Sequence, residues 1–112
     1  MYIPHPDIDK HPTHRLVAEV ALNELRELIS EGKTDAPEVW CYEVWTPFQT
    51  YDRIEDVSGH IELKEMAIEA HRSQISYRDY TEGIIGLNRY RAIFTERHGV
   101  SDMDFAEVFL EL

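Results

Sequence analysis

The sequence predicts a mixed α/β fold in which long helices flank an incomplete sheet. A helical apolar period covers residues 13–30, a β-branched and aromatic run covers 38–46, and two further helical patterns cover 60–74 and 79–97. Helices on both sides of a well-covered strand are typical of α/β layers. Since one strand cannot make a sheet, we expect the other strands to come from outside this sequence.

Length and composition indicate one domain, or a fragment of one, over residues 1–112. Apolar residues make up 43% and aromatic residues 11%, enough for a hydrophobic core. Cys41 is the only cysteine, which excludes a disulfide within the chain and favours a reducing, cytoplasmic location. No apolar run approaches the roughly 18 residues that a membrane-spanning helix needs, and no segment resembles a signal peptide.

The net charge is −11, from 22 acidic and 11 basic side chains. Phosphate binding requires clustered Lys and Arg, so we expect no nucleic-acid partner. The acidity itself favours solubility rather than a particular ligand.

The first elements follow from apolar spacing. Residues 2–4 are apolar and run into prolines, as at the end of a strand. Apolar residues then recur every three or four positions from Thr13 to Ser30, which predicts a helix with Thr13 as its N-cap. Gly32 is a good helix stop.

The run from Glu38 to Thr46 predicts a strand covered on most of its surface, with Trp40 and Trp45 in the core. Pro47 ends it. Residues 51–57 predict a second short strand or an extended connection.

Two helices are predicted next. The first covers His60–Gln74 with Leu63 and Met66 on its apolar face, and the second covers Asp79–Arg97 with His98-Gly99 as its cap. Residues 105–110 form a short terminal element, either strand or helix.

The residues best suited to chemistry lie between positions 5 and 14, where His5, Asp7, Asp9, His11 and His14 alternate with prolines. Histidines and carboxylates bind zinc and transfer protons near neutral pH. Two histidines three apart at a helix start can point at one site, one binding a metal and the other assisting an oxyanion. The alternative is that both are ordinary surface residues.

Asp9 stands two positions before His11, close enough to fix its orientation. His5 and Asp7 can supply further ligands, or they can be the polar residues of a turn. One hypothesis is therefore a self-contained metal site from His5, Asp7, His11 and His14, which requires tight zinc binding by this chain alone.

Three charged side chains are candidates for substrate binding. Glu43 lies within an apolar strand and needs a polar partner unless it faces water. Glu107, a carboxylate between apolar residues of the terminal element, likewise needs a polar partner unless it faces water. Arg89 suits an anionic group, although a salt bridge to a nearby acid explains it equally well.

The order of motifs resembles the PIG-L/LmbE family of zinc-dependent N-deacetylases over essentially the whole chain. Asp9-Lys-His-Pro-Thr-His-Arg15 resembles the family's second active-site motif. The pieces that resemble its later landmarks are, in order, Tyr42-Glu-Val-Trp-Thr-Pro47, the 51–57 piece with its Asp-Val-Ser ending, Lys64 to Ser73-Gln74, Leu87-Asn-Arg-Tyr-Arg91 and Phe105-Ala-Glu-Val-Phe109.

This resemblance implies a Rossmann-like fold and removal of an N-acetyl group from an N-acetylglucosamine-type substrate by a zinc-bound water. By the family pattern, His14 is a zinc ligand, and His11 stabilises the oxyanion or protonates the leaving amine, with Asp9 assisting. Zn²⁺ is the implied cofactor.

Two departures qualify this expectation. Thr13 stands where the family has Asp. The family's first motif, which supplies two zinc ligands and the general base, has no proper match here. We therefore interpret residues 1–112 as the C-terminal half of such an enzyme, and expect a homo-oligomer or pairing with a missing N-terminal half. The alternative is a non-catalytic α/β interaction or carbohydrate-binding module derived from that fold.

Overall fold

A computed structural model describes residues 1–94 and 103–112 of the chain. These residues form a mixed α/β structure whose four strands have the order β1-β2-β4-β3. The strands are β1 (Tyr2–Pro4), β2 (Trp40–Tyr42), β3 (Arg53–Asp56) and β4 (Ala106–Glu111). The α/β class is confirmed. The strands that pair with β2 come from this chain itself, β1 on one side and β4 on the other, and not from outside this sequence as expected.

The helices match the predicted positions; the first begins one residue earlier than predicted, and the later ones have shorter bounds. They are α1 (Pro12–Ser30), α2 (Ile61–Glu69), α3 (Arg72–Ile75) and α4 (Thr81–Ile93), with a 3₁₀ turn at Ser58–His60 before α2. The pattern predicted over 60–74 is thus divided by a break at residues 70–71. The predicted cap at His98-Gly99 and residues 95–97 of the last predicted helix lie outside the described residues. None of the described helices is long and apolar enough to cross a membrane.

The chain divides into two compact units: residues 1–53 with 108–112, and residues 54–107. In the first unit, β1, α1 and β2 form a parallel β-α-β arrangement, with Ile3 opposite Cys41. Strand β4 runs antiparallel to β2, with Cys41 opposite Leu110. Ile3, Ala18, Cys41, Phe48 and Val108 are buried and form the core of this unit.

The two ends of α1 differ in how well the sequence predicts them. Its N-cap is His11 rather than Thr13, because Pro12 takes the first helical position, where its missing N–H costs nothing. Its C-terminus follows the prediction. Gly32 has φ 69° and donates to the carbonyl of Ile29, while Lys33 donates to Leu28, which is a Schellman closure.

The apolar period of α1 predicts where the helix lies better than it predicts which of its side chains are buried. Only Ala18 is fully buried, whereas Leu16, Val17 and Val20 are each more than half exposed. α1 packs on β1, which has only three residues. Such a short strand covers a narrow stripe of the helix, so the rest of its apolar surface faces water.

The second unit contains α2, α3 and α4, and its interior is partly polar. α4 buries Thr81, Asn88 and Arg91, and the side-chain amide of Asn88 donates to the carbonyl of Ala106 at 2.8 Å. Leu63 and Met66, predicted to form the apolar face of α2, are both largely exposed.

Ser58 orders the start of the helical part of the second unit. Its hydroxyl donates to Asp56 at 2.6 Å and accepts from the backbone N–H groups of Asp104 and Phe105. The hydroxyl hydrogen bond, together with a second one at 2.9 Å from the backbone N–H of Ser58, holds the pKa of the Asp56 carboxyl below its ordinary value. The Asp-Val-Ser sequence at 56–58 therefore has a structural role in this unit.

Candidate functional site

The histidine-rich loop and the chain after β2 meet at one edge of the sheet. Because β1 and β2 are parallel, their carboxyl ends lie at the same edge. Residues 5–11 follow β1, and residues 43–48 follow β2. Ligand sites of open α/β sheets form outside the carboxyl ends of parallel strands. We refer to residues 43–48 as the 43–48 segment.

His5 organises the first turn of the loop. Its Nδ1 accepts hydrogen bonds from the backbone N–H groups of Asp7 and Ile8, each at 3.1 Å. Its ring is buried and meets Phe48 edge to face. A neutral imidazole that accepts through Nδ1 carries its proton on Nε2. Neither nitrogen of His5 is then free to bind a metal.

Asp9 is the centre of the site. It is only 3% exposed, and its carboxylate accepts three hydrogen bonds. Oδ1 accepts from the backbone N–H of His11 at 2.7 Å and contacts Nδ1 of His14 at 3.3 Å, while Oδ2 accepts from the backbone N–H of Trp45 at 3.1 Å. One buried carboxylate thus joins the loop, the first turn of α1 and the 43–48 segment.

The contact with Asp9 fixes His14. A carboxylate only accepts hydrogen bonds, so His14 donates through Nδ1. Its Nε2 has no hydrogen-bond partner among the described residues, and the side chain is 26% exposed. An imidazole held by a carboxylate in this way presents a basic Nε2 to a metal or a proton.

His11 is placed by ring stacking instead. Its ring lies 4.4 Å from that of His14 and 5.8 Å from that of Trp45, with interplanar angles of 29° and 22°. Its Nδ1 is buried without a hydrogen-bond partner in the described part of the chain. Nε2 is therefore the ring nitrogen through which His11 can act on a substrate.

The 43–48 segment leaves the sheet earlier than predicted. The carboxylate of Glu43 accepts from the backbone N–H of Phe48 at 2.5 Å and closes a turn, and the hydroxyl of Thr46 accepts from the backbone of Lys10 at 3.2 Å. Side-chain acceptors that capture backbone N–H groups compete with strand pairing. This explains why β2 has three residues and not the nine predicted.

Two ionisable side chains of β2 have raised pKa values. Burial, followed by the negative charge of Asp9, raises the pKa of the Tyr42 hydroxyl. Burial alone raises the pKa of the Cys41 thiol to about 11. Cys41 is therefore a protonated core side chain at neutral pH.

The described residues do not complete a metal centre. They contain no group of three or more His, Cys, Asp or Glu side chains placed to hold a metal ion. His14, oriented by Asp9, fits the chemistry of one ligand. The self-contained site that also used His5 and Asp7 is not supported, because Nδ1 of His5 already accepts the hydrogen bonds that close the turn.

Arg89 and Glu107 belong to the second unit, where each has a partner of opposite charge. The guanidinium of Arg89 donates to the carboxylate of Asp104 at 2.6 Å and to its carbonyl oxygen at 2.8 Å. The carboxylate of Glu107 accepts from the ammonium of Lys64. The cluster in the first unit brings together Asp9, His11 and His14, the three candidates closest in sequence.

Sequence reasoning missed the part played by Trp45. It is half exposed rather than a core residue, and both its main chain and its ring contact the cluster. The available signal was its position just after a strand parallel to β1. Such a signal becomes usable only when the pairing of the two strands is known.

Comparison of the chain with protein-family models, with curated proteins and with solved structures gives no match.

Proposed function

We propose that the Asp9–His11–His14 cluster is the histidine part of a zinc-dependent N-deacetylase site of the PIG-L/LmbE type. The observation that carries this proposal is the 3.3 Å contact between Asp9 Oδ1 and His14 Nδ1, which leaves His14 Nε2 for a metal. The substrate class, an N-acetylglucosamine-type acetamide, comes from the sequence resemblance. The further ligands are expected from outside the described residues.

In this proposal each residue has a separate task. His14 binds through Nε2, and Asp9 fixes the plane and the tautomer of its ring. His11 acts through Nε2, donating a hydrogen bond to the developing oxyanion or a proton to the leaving amine. Thr13 lies on the exposed side of the helix start, so its hydroxyl faces solvent where the family has a carboxylate.

Cobalt titration followed by histidine NMR tests the metal role. Paramagnetic Co²⁺ broadens the ring signals nearest to it, and we expect His14 to broaden first, followed by its stacked neighbour His11. His14→Ala should remove this selective broadening. His71→Ala is the matched control, because His71 is an exposed histidine of the second unit. Broadening that starts at another histidine, or that survives His14→Ala, would refute the metal role.

Acetate release from N-acetylglucosamine with added zinc tests the reaction itself. Zinc-dependent release that is lost in both His11→Ala and His14→Ala, and kept in His71→Ala, would support the deacetylase.

The second candidate is a non-catalytic interaction or carbohydrate-binding module, and the incomplete ligand set among the described residues favours it. Sugar binding by a chain in which cobalt does not select His14 would favour this candidate. The expected homo-oligomer, or pairing with a complementary half, stays a prediction that sedimentation of the purified chain would test.

A further inference from the structure

Trp45 combines high exposure with a defined position. Its side chain is 51% exposed, so burial alone does not hold the indole in place. Its backbone N–H is fixed on Asp9 at 3.1 Å, and its ring lies nearly parallel to that of His11. The indole is thus half exposed to water and stacked on an imidazole, and the proposed reaction gives it no role.

His11 needs such a neighbour, because hydrogen bonding does not orient its ring. The two stacked histidines differ in this respect. His14 is oriented by Asp9, whereas Nδ1 of His11 is buried without a partner in the described part of the chain. Ring contacts with His14 and Trp45 constrain the plane of the His11 imidazole. Offset stacking of aromatic rings is attractive beyond the area it buries.

The main chain of the 43–48 segment keeps Trp45 in register with the loop. Trp45 N–H binds Asp9 Oδ2, and the next residue, Thr46, accepts from the backbone of Lys10. These two hydrogen bonds place the Cα of Trp45 beside the loop whatever its side chain is. A substitution of the indole therefore removes the ring and leaves this backbone connection in place.

We infer that Trp45 is a positioning residue, whose ring sets the orientation of the His11 imidazole so that Nε2 is directed at the substrate. This inference rests on the proposed function for its purpose, since the orientation of His11 matters only if His11 acts on a substrate. The physical statement, that Trp45 orients His11, is independent of that function and can be tested without activity.

The test is proton NMR of the His11 ring in the metal-free protein at one fixed pH, with Trp45→Ala, Trp45→Phe and Val44→Ala. Val44 is the matched control, because it is the exposed neighbour of Trp45 in the same segment. In the wild type we expect cross-peaks from the His11 ring protons to the indole and to the ring protons of His14, whose ring lies 4.4 Å away. The cross-peaks between His11 and His14 report the plane of the His11 ring independently of the indole: Trp45→Ala should weaken them, Trp45→Phe should restore them in part, and Val44→Ala should keep them.

Two results would overturn the inference: unchanged cross-peaks between His11 and His14 in Trp45→Ala, or cross-peaks lost in Trp45→Ala that Trp45→Phe does not restore. The Phe variant keeps an aromatic face and so provides a readout even if the Ala variant does not fold. Failure of the proposed function has a different signature. Cobalt would then not select His14, while the dependence of the His11–His14 cross-peaks on Trp45 would remain.

Discussion

Replacement of Asp9 by Ala should destabilise the first unit more than any other single change in the loop. The substitution removes the acceptor of three hydrogen bonds at a position that is 3% exposed. Two of the donors are backbone N–H groups, from His11 and Trp45, that cannot move away without disrupting the helix start or the 43–48 segment.

The magnitude follows from those two donors. A buried backbone donor left without a partner costs about 1–3 kcal/mol. Both hydrogen bonds are only partly buried, so the lower half of that range applies to each, and the expected loss is about 2–4 kcal/mol for Asp9→Ala. Asp9→Asn keeps one oxygen acceptor but places an amide donor against the other N–H, so about half of that loss is expected.

Urea denaturation followed by tryptophan fluorescence measures this loss. Trp40 and Trp45 are the two tryptophans of the chain and both lie in the first unit, so the signal reports on that unit. With a slope of roughly 1 kcal/mol per molar urea, Asp9→Ala lowers the midpoint by about 2–4 M or unfolds the unit without urea. If the Ala variant is unfolded without urea, the smaller loss expected for Asp9→Asn still gives a measurable shift of the midpoint.

Asp7→Ala is the matched control, because Asp7 is an exposed carboxylate of the same loop. Its midpoint should stay close to that of the wild type. An Asp9→Ala variant within about 0.5 kcal/mol of the wild type, the range of ordinary surface substitutions, would refute the central role given to this carboxylate.

Three further predictions follow from single side chains. The pKa of the Cys41 thiol is raised to about 11, so its contribution to stability is complete below about pH 9 and is lost between about pH 9 and 11; denaturation midpoints should fall more steeply over that window in the wild type than in Cys41→Ala, where only groups such as Tyr42, whose pKa is also raised, still contribute. Asn88→Leu leaves the buried carbonyl of Ala106 without its donor and should lower the free energy of unfolding of the second unit by about 1–3 kcal/mol, measured by hydrogen exchange; an unchanged exchange rate would count against it. Ser58→Ala removes the hydroxyl hydrogen bond, the larger of the two that lower the pKa of the Asp56 carboxyl, and keeps the one from the backbone N–H; NMR titration should give a higher pKa in the variant, and an equal pKa would contradict the assigned cause.

Features set by local chemistry were predictable from the sequence. The end of α1 follows from Gly32, which takes the positive φ that a Schellman closure needs. Residues 2–4 are expected as the end of a strand, 51–57 as a strand or an extended connection, and the terminal element as a strand or a helix; the structure has a strand at each place. The pairing of His11 with His14 follows from their three-residue spacing at a helix start.

Features that depend on contacts between residues distant in sequence were not predictable in the same way. The apolar run at 38–46 favours a long strand, yet Asp9 captures the backbone N–H of Trp45 in that run, and β2 ends at Tyr42. The apolar period of α1 predicts a buried Leu16, which a three-residue partner strand leaves exposed. Both errors arise because the competing acceptor, or the missing cover, lies far away in sequence.

The same competition connects the fold to the proposed chemistry. If β2 continued as a strand through Trp45, the backbone N–H of Trp45 would be available for pairing in the sheet. Instead, Asp9 Oδ2 accepts the hydrogen bond from this N–H, and the indole lies against the ring of His11. The other carboxylate oxygen of Asp9 orients His14. One buried carboxylate therefore both shortens the strand and sets two imidazoles in a fixed relation. That coupling is why the stability of Asp9 variants and the ring orientation of His11 should change together.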